Sequence, residues 1–127
     1  MQRVLIIDDQ AAVRATLVVA LTHRGYRVDE AENGEEGLRK ARENTPDVIL
    51  CDFGMPVMNG LETLVQVRKD SVLGRVPVII ISGIVTRDDE RRLMDEGANA
   101  VLLKPFALSD LTSLIDQCLL PGATGQT

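Results

Sequence analysis

Pro77-Val78-Ile79-Ile80-Ile81-Ser82 and Val48-Ile49-Leu50-Cys51-Asp52 decide how this chain folds. Each is a short aliphatic run, rich in β-branched residues, that stops on a polar side chain. Neither alternates apolar with polar, so both read as strands buried on two faces, the pattern of a parallel sheet rather than of an amphipathic hairpin. Two further stretches are of the same kind. Val4-Leu5-Ile6-Ile7 stops at Asp8-Asp9, and Ala100-Val101-Leu102-Leu103 stops at Lys104-Pro105. Residues 27–31 (Arg-Val-Asp-Glu-Ala) form a weaker, more polar strand, expected at a sheet edge.

Helical signals lie between these runs. Val13, Leu17, Ala20 and Leu21 share one face of a first helix that Gly25 closes. Residues 34–42 give a short helix with Leu38 and Ala41 inward, and residues 60–69 a third with Leu61, Leu64 and Val65 toward the core. Thr86 reads as the N-cap of an acidic helix over 87–96, closed by Gly97. A last helix starts at Ser109 or its neighbour and carries Leu111, Leu114, Ile115 and Leu119. Strand–helix alternation of this kind implies an α/β fold: a doubly wound, five-stranded parallel sheet with helices on both faces. Right-handed crossovers leave few topologies, and the flavodoxin-like order 2-1-3-4-5 is the expected one.

Composition agrees. The chain has 127 residues, 45% hydrophobic and 26% charged, enough for one domain with a real core. Aromatics are only 2%, so that core is aliphatic. The expected division is one domain over 1–120 and a flexible Pro/Gly/Thr tail over 121–127. A net charge of −5 disfavours direct contact with nucleic acid. The apolar start of the chain is too short for a secretory signal and stops at two aspartates, and no stretch has membrane-spanning length. With Cys51 and Cys118 read as reduced thiols, the expected location is the cytoplasm.

In a parallel sheet the polar residues that end the strands share one rim. Here those residues are Asp8-Asp9, Asp52, Ser82 and Lys104. Taken singly, each has an ordinary reading: a helix-capping acid pair, a loop acid, a loop serine, a solvated lysine. Taken together they crowd carboxylates into one place, which is costly unless positive charge joins them. A hard divalent cation such as Mg²⁺ and the Lys104 ammonium fit that need.

The sequence resembles the receiver domain of two-component response regulators. The resemblance rests on Leu5-Ile6-Ile7-Asp8-Asp9, on Asp52-Phe53-Gly54-Met55-Pro56 with Asn59-Gly60, on Ser82-Gly83 and on Lys104-Pro105-Phe106. Ala31-Glu32-Asn33-Gly34-Glu35-Glu36 and Glu96-Gly97-Ala98 add to it, so that it runs over about residues 3–120.

The resemblance implies that Asp52 accepts a phosphoryl group from a histidine kinase or histidine phosphotransfer protein. Asp9, Asp52 and the backbone carbonyl of Gly54 would bind Mg²⁺, with Asp8 acting mainly through water. Lys104 and Ser82 would contact the phosphoryl group, and Lys104-Pro105 would be a cis peptide. The phosphorylated form would then engage a downstream output protein or domain. Such a protein phosphorylates and dephosphorylates itself, without turnover of a separate substrate.

Three positions stand apart from the family's usual pattern. Val101, three residues before the lysine, replaces the aromatic that normally relays the movement of the hydroxyl residue, so a muted or rewired switch is expected through Ser82 and Val101. Gly54 and Ile84 flank the phosphoryl position, the first opening it and the second shielding it. A surface made of Ala11, Ala12 and Val18, with the loop after the fifth strand, is the expected dock for the phosphodonor helices. Both a stand-alone receiver and part of a larger protein suit the sequence.

Two other readings compete. A degenerate receiver would serve only as a binding module, although every chemical position is filled here. A flavin or nucleotide binder needs a glycine- or hydroxyl-rich loop after a strand, where this chain has Asp8-Asp9-Gln10-Ala11. His23 is the only histidine and reads as surface, which argues against a Ser-His-Asp site.

Overall fold

A computed structural model describes residues 2–120; the tail expected at 121–127 lies outside the described residues. The aliphatic runs form β1 (Arg3–Ile7), β3 (Val48–Asp52), β4 (Val78–Ser82) and β5 (Ala100–Leu103), and the polar run forms β2 (Arg27–Ala31). They pair in parallel in the order β2-β1-β3-β4-β5, with β2 at an edge as its composition requires. The helices are α1 (Ala11–His23), α2 (Gly34–Glu43), α3 (Gly60–Lys69), α4 (Arg87–Asp95) and α5 (Leu108–Leu119).

The period of two along each strand sorts the core into two halves. Leu5, Ile7, Ile49, Cys51, Val78 and Ile80 face α2, α3 and α4, where Leu38, Leu64 and Leu93 meet them. Val4, Ile6, Val48, Leu50, Ile79 and Ile81 face α1 and α5, where Leu17, Leu21, Leu111 and Ile115 meet them. Each fully buried aliphatic side chain contributes about 1.5–3 kcal/mol of transfer free energy, so this aliphatic core suffices without aromatic bulk.

Helix starts follow local chemistry. Asn59 accepts from the Glu62 N–H at 2.9 Å while Glu62 accepts from the Asn59 N–H at 3.0 Å, a reciprocal cap on α3. Thr86 and Asp89 cap α4 in the same way, and Asn33 caps α2 through the Glu36 N–H at 2.8 Å. Gly25 and Gly97 take positive φ just after α1 and α4.

The structure refines three expectations. On α3 the buried aliphatic positions are Leu64 and Val67, with Leu61 and Val65 half-buried, because the inward stripe advances by three residues from Leu64. Helix α4 ends at Asp95, one residue early. Leu73 and Val76, in the connection to β4, are core residues. Asp70 accepts from the Val72 and Leu73 N–H groups at 2.8 and 3.0 Å, and this local turn holds Leu73 in the core.

Candidate functional site

The ladder continues past the strand ends and so aligns the rim. The Asp8 N–H donates to Ala31 O (3.1 Å), Phe53 N–H to Ile81 O (2.9 Å) and Lys104 N–H to Ser82 O (2.8 Å). In register, Ile7 lies beside Cys51 and Ser82 beside Leu103. The residues that follow, Asp8, Asp52 and Lys104, therefore arrive together.

Oxygens of the Asp8, Asp9 and Asp52 carboxylates all lie within 4.8 Å of one another. Asp8 and Asp52 are buried (3% and 9% exposed) and Asp9 is exposed, so the cluster opens to solvent on the Asp9 side. Lys104 Nζ lies 3.2 Å from Asp52 Oδ1 and 3.9 Å from Asp8 Oδ2. One ammonium thus contacts two of the three clustered carboxylates, and the residual negative charge suits a hard cation held by oxygen ligands.

Burial pushes the Asp8 carboxyl above the ordinary carboxylate range, and the like charges of Asp52 and Asp9 push the same way; the Gln10 N–H and Lys104 pull it down. Asp8 Oδ1 accepts from that Gln10 N–H at 2.8 Å, so the ordinary reading of Asp8 as a residue that organises the start of α1 is also realised. The other oxygen, Oδ2, is the one that faces Lys104, at 3.9 Å.

The β3–α3 connection is shaped by Gly60. A Cβ there would stand 2.7 Å from Phe53 Cα and 2.8 Å from Asp52 O, both backbone atoms. Only glycine lets α3 start this close to the end of β3, where the Gly60 N–H donates to Phe53 O at 2.8 Å. At Gly54 and Gly83 a Cβ would meet open space, so the rim is uncrowded on both sides of Asp52.

Ser82 is buried, and its hydroxyl donates to Ile84 O at 2.7 Å while accepting from the Ile84 N–H at 3.2 Å. The Ile84 side chain is 87% exposed, so here it covers nothing. Val101 is half-buried against the α2–α4 half of the core. The Lys104-Pro105 peptide is cis, as expected. Phe106 packs on the α1–α5 half. Cys51 is fully buried, which raises its thiol pKa far above the reactive range, and His23 is exposed at the end of α1.

The family model described as "Response regulator receiver domain" matches residues 4–116. The chain belongs to the response regulator receiver domain family. Among curated relatives of this receiver, it is 37% identical over 117 residues to the transcriptional regulatory protein PrrA of Mycobacterium tuberculosis, covering 92% of this chain and 49% of that protein. It is 39% identical over 111 residues to the KDP operon transcriptional regulatory protein KdpE of Escherichia coli, covering 87% and 48%. The gliding motility regulatory protein of Myxococcus xanthus is 39% identical over 102 residues, covering 80% of this chain and 13% of that protein. The receiver thus spans about half the length, or less, of these relatives. Among solved structures, the Vibrio cholerae chemotaxis protein CheY4 superposes with a TM-score of 0.89 at 32% identity, covering 94% of this chain and 99% of that one.

Gly60, at the expected start of the third helix, also sets the distance between Asp52 and α3. Sequence reasoning passed over one residue of this receiver site. Arg14 carried no signal at all: an arginine on a helix is ordinarily solvated, yet its Nη1 donates to Asp8 O at 2.6 Å.

Proposed function

We propose that this receiver domain takes a phosphoryl group on Asp52, in a Mg²⁺-dependent reaction, from a histidine kinase or histidine phosphotransfer protein, and that the modification changes its binding to a downstream output protein or domain. The observation that carries this reading is the convergence of Asp8, Asp9, Asp52 and Lys104 on one opening at the strand ends.

An Asp52 carboxylate oxygen attacks phosphorus, the P–N bond to the donor imidazole breaks, and an acyl phosphate forms on Asp52. Lys104 holds Asp52 Oδ1 before transfer and offers its charge to the phosphoryl oxygens afterwards. Ser82 donates to the phosphoryl group once its bond to Ile84 O opens. Asp9, Asp52 and the Gly54 carbonyl would hold the Mg²⁺, with Asp8 contributing through water, and the clustered oxygens suit such an ion. When bound, the ion neutralises charge on acceptor and donor so that two anions can approach.

The donor would dock over α1 and the loop after β5. Val13, Thr16, Leu17, Pro105, Phe106 and Leu108 line an apolar groove there, which supports this placement. Ala11 and Ala12 are exposed at the start of α1, as expected, whereas Val18 turns half inward to pack against the core and contributes less than its sequence position implied. We assign the receiver unit to residues 1–120 and place it in the cytoplasm. The match over residues 4–116 and the free thiols of Cys51 and Cys118 favour these assignments. Among the described residues no helix is long and apolar enough to cross a membrane.

Incubation with acetyl phosphate tests the reading. One phosphoryl group is expected on the intact chain with Mg²⁺, and none with EDTA or in Asp52→Asn. An unmodified wild type with Mg²⁺ would favour a binding module instead.

A further inference from the structure

We propose that Arg14 is a positioning residue for the acid pair and thereby sets the Mg²⁺ affinity of the site; the inference rests on the metal-binding reading above. Arg14 lies on α1, and its side chain is only 15% exposed. Nη1 donates to Asp8 O at 2.6 Å, and Nε donates to Glu30 Oε1 at 3.3 Å.

The oxygen that Arg14 holds belongs to the peptide unit joining Asp8 to Asp9. That unit is planar, so its orientation sets ψ of Asp8 and φ of Asp9 together. Fixing it fixes how the two carboxylates diverge from the end of β1. The other bonds around this turn come from the main chain or from Asp8 itself: Asp8 N–H to Ala31 O, and Gln10 N–H to Asp8 Oδ1. Arg14 supplies the side-chain bond from within α1 to the turn, and Glu30 at the end of β2 holds the guanidinium in place. A planar, two-pronged donor suits this bridge; a lysine has one nitrogen for two acceptors.

Groups that orient metal ligands typically change metal affinity by about 10–100-fold when removed, and Arg14 occupies such a place. Calorimetric titration of MgCl₂ into the intact chain tests this, with thermal unfolding measured in EDTA. Arg14→Ala is expected to weaken Mg²⁺ binding by about tenfold or more, with shifted Asp9 and Gln10 amide resonances in the metal-free protein. Arg14→Lys should recover part of the affinity, and Glu30→Gln should lose a smaller part. Arg42→Ala, which breaks the exposed pair with Asp70, should leave affinity unchanged and serves as the control for a purely structural loss. Wild-type affinity in both Arg14→Ala and Glu30→Gln, even with lowered unfolding temperature, would overturn the proposal. If Arg14→Ala does not fold, Arg14→Lys and Glu30→Gln decide it in the same way. A wild type that binds no Mg²⁺ would overturn the metal reading and this inference with it.

Discussion

Lys104 Nζ lies 3.2 Å from Asp52 Oδ1 and 3.9 Å from Asp8 Oδ2, so one ammonium bridges the carboxylates carried at the ends of β1 and β3. The lysine comes from beyond β5, two strands away from β3 in the sheet order. Its long stem spans that distance and leaves 29% of the side chain exposed. The bridge is therefore a property of the whole rim.

Replacing Lys104 by Met should separate two properties that its charge couples. Repulsion among the acids increases without the ammonium, so a divalent cation should bind several-fold more tightly. Phosphoryl transfer should fall by about 10²–10³-fold, the usual loss when a charged stabiliser of the transferring group is removed. Calorimetry for the ion and the initial rate of phosphorylation from acetyl phosphate check the two halves.

Asp8→Asn should stabilise the metal-free domain at neutral pH. Burial and two like charges raise the Asp8 pKa in the folded state, so the folded chain pays for its ionisation. That penalty is absent below the ordinary value of 3.8 and complete once pH has passed the raised folded value. The unfolding temperature of the variant in EDTA should exceed that of wild type at pH 7, and the gap should close toward pH 3. Saturating Mg²⁺ should reverse the order, because wild type gains more from binding.

Gly60→Ala should cost about 3 kcal/mol, near the upper end for overpacking, because the new methyl would meet backbone atoms of Asp52 and Phe53 that cannot swing aside. Denaturant unfolding measures the loss. The same displacement should also lower the phosphorylation rate, since Asp52 moves with the backbone.

Phosphorylation should loosen the link between Ser82 and Ile84, since the Ser82 hydroxyl cannot serve both Ile84 O and a phosphoryl oxygen with its one proton. Amide shifts on beryllofluoride addition should be large at Ser82–Val85 and small along α4, because Val101 lacks the bulk to change places with a moving side chain. A full response over Arg87–Asp95 would show that the missing aromatic does not matter. Ser82→Ala should still be phosphorylated but lose the loop shifts.

The strand ends were legible because aliphatic runs and the polar residues that stop them sit next to each other in sequence. Asp52 after Val48-Ile49-Leu50-Cys51 and Ser82 after Val78-Ile79-Ile80-Ile81 needed only a parallel sheet to bring them together. Leu73 and Val76 were not legible, because an irregular turn has no period, although Asp70 ahead of Val72 and Leu73 was a usable turn signal. Val67 was missed by choosing Val65 for the inward stripe of α3. Arg14 could not be read, because nothing in a helical arginine tells which carbonyl it will reach, and that depends on how α1 packs against β1 and β2.

The most direct measurement maps the modified residue. After brief treatment with acetyl phosphate, borohydride reduction converts an aspartyl phosphate to homoserine, which peptide mass spectrometry locates. Homoserine at position 52, formed with Mg²⁺ and absent with EDTA, is the predicted result. Homoserine at Asp8 or Asp9, or none anywhere in wild type with Mg²⁺ present, would contradict the account.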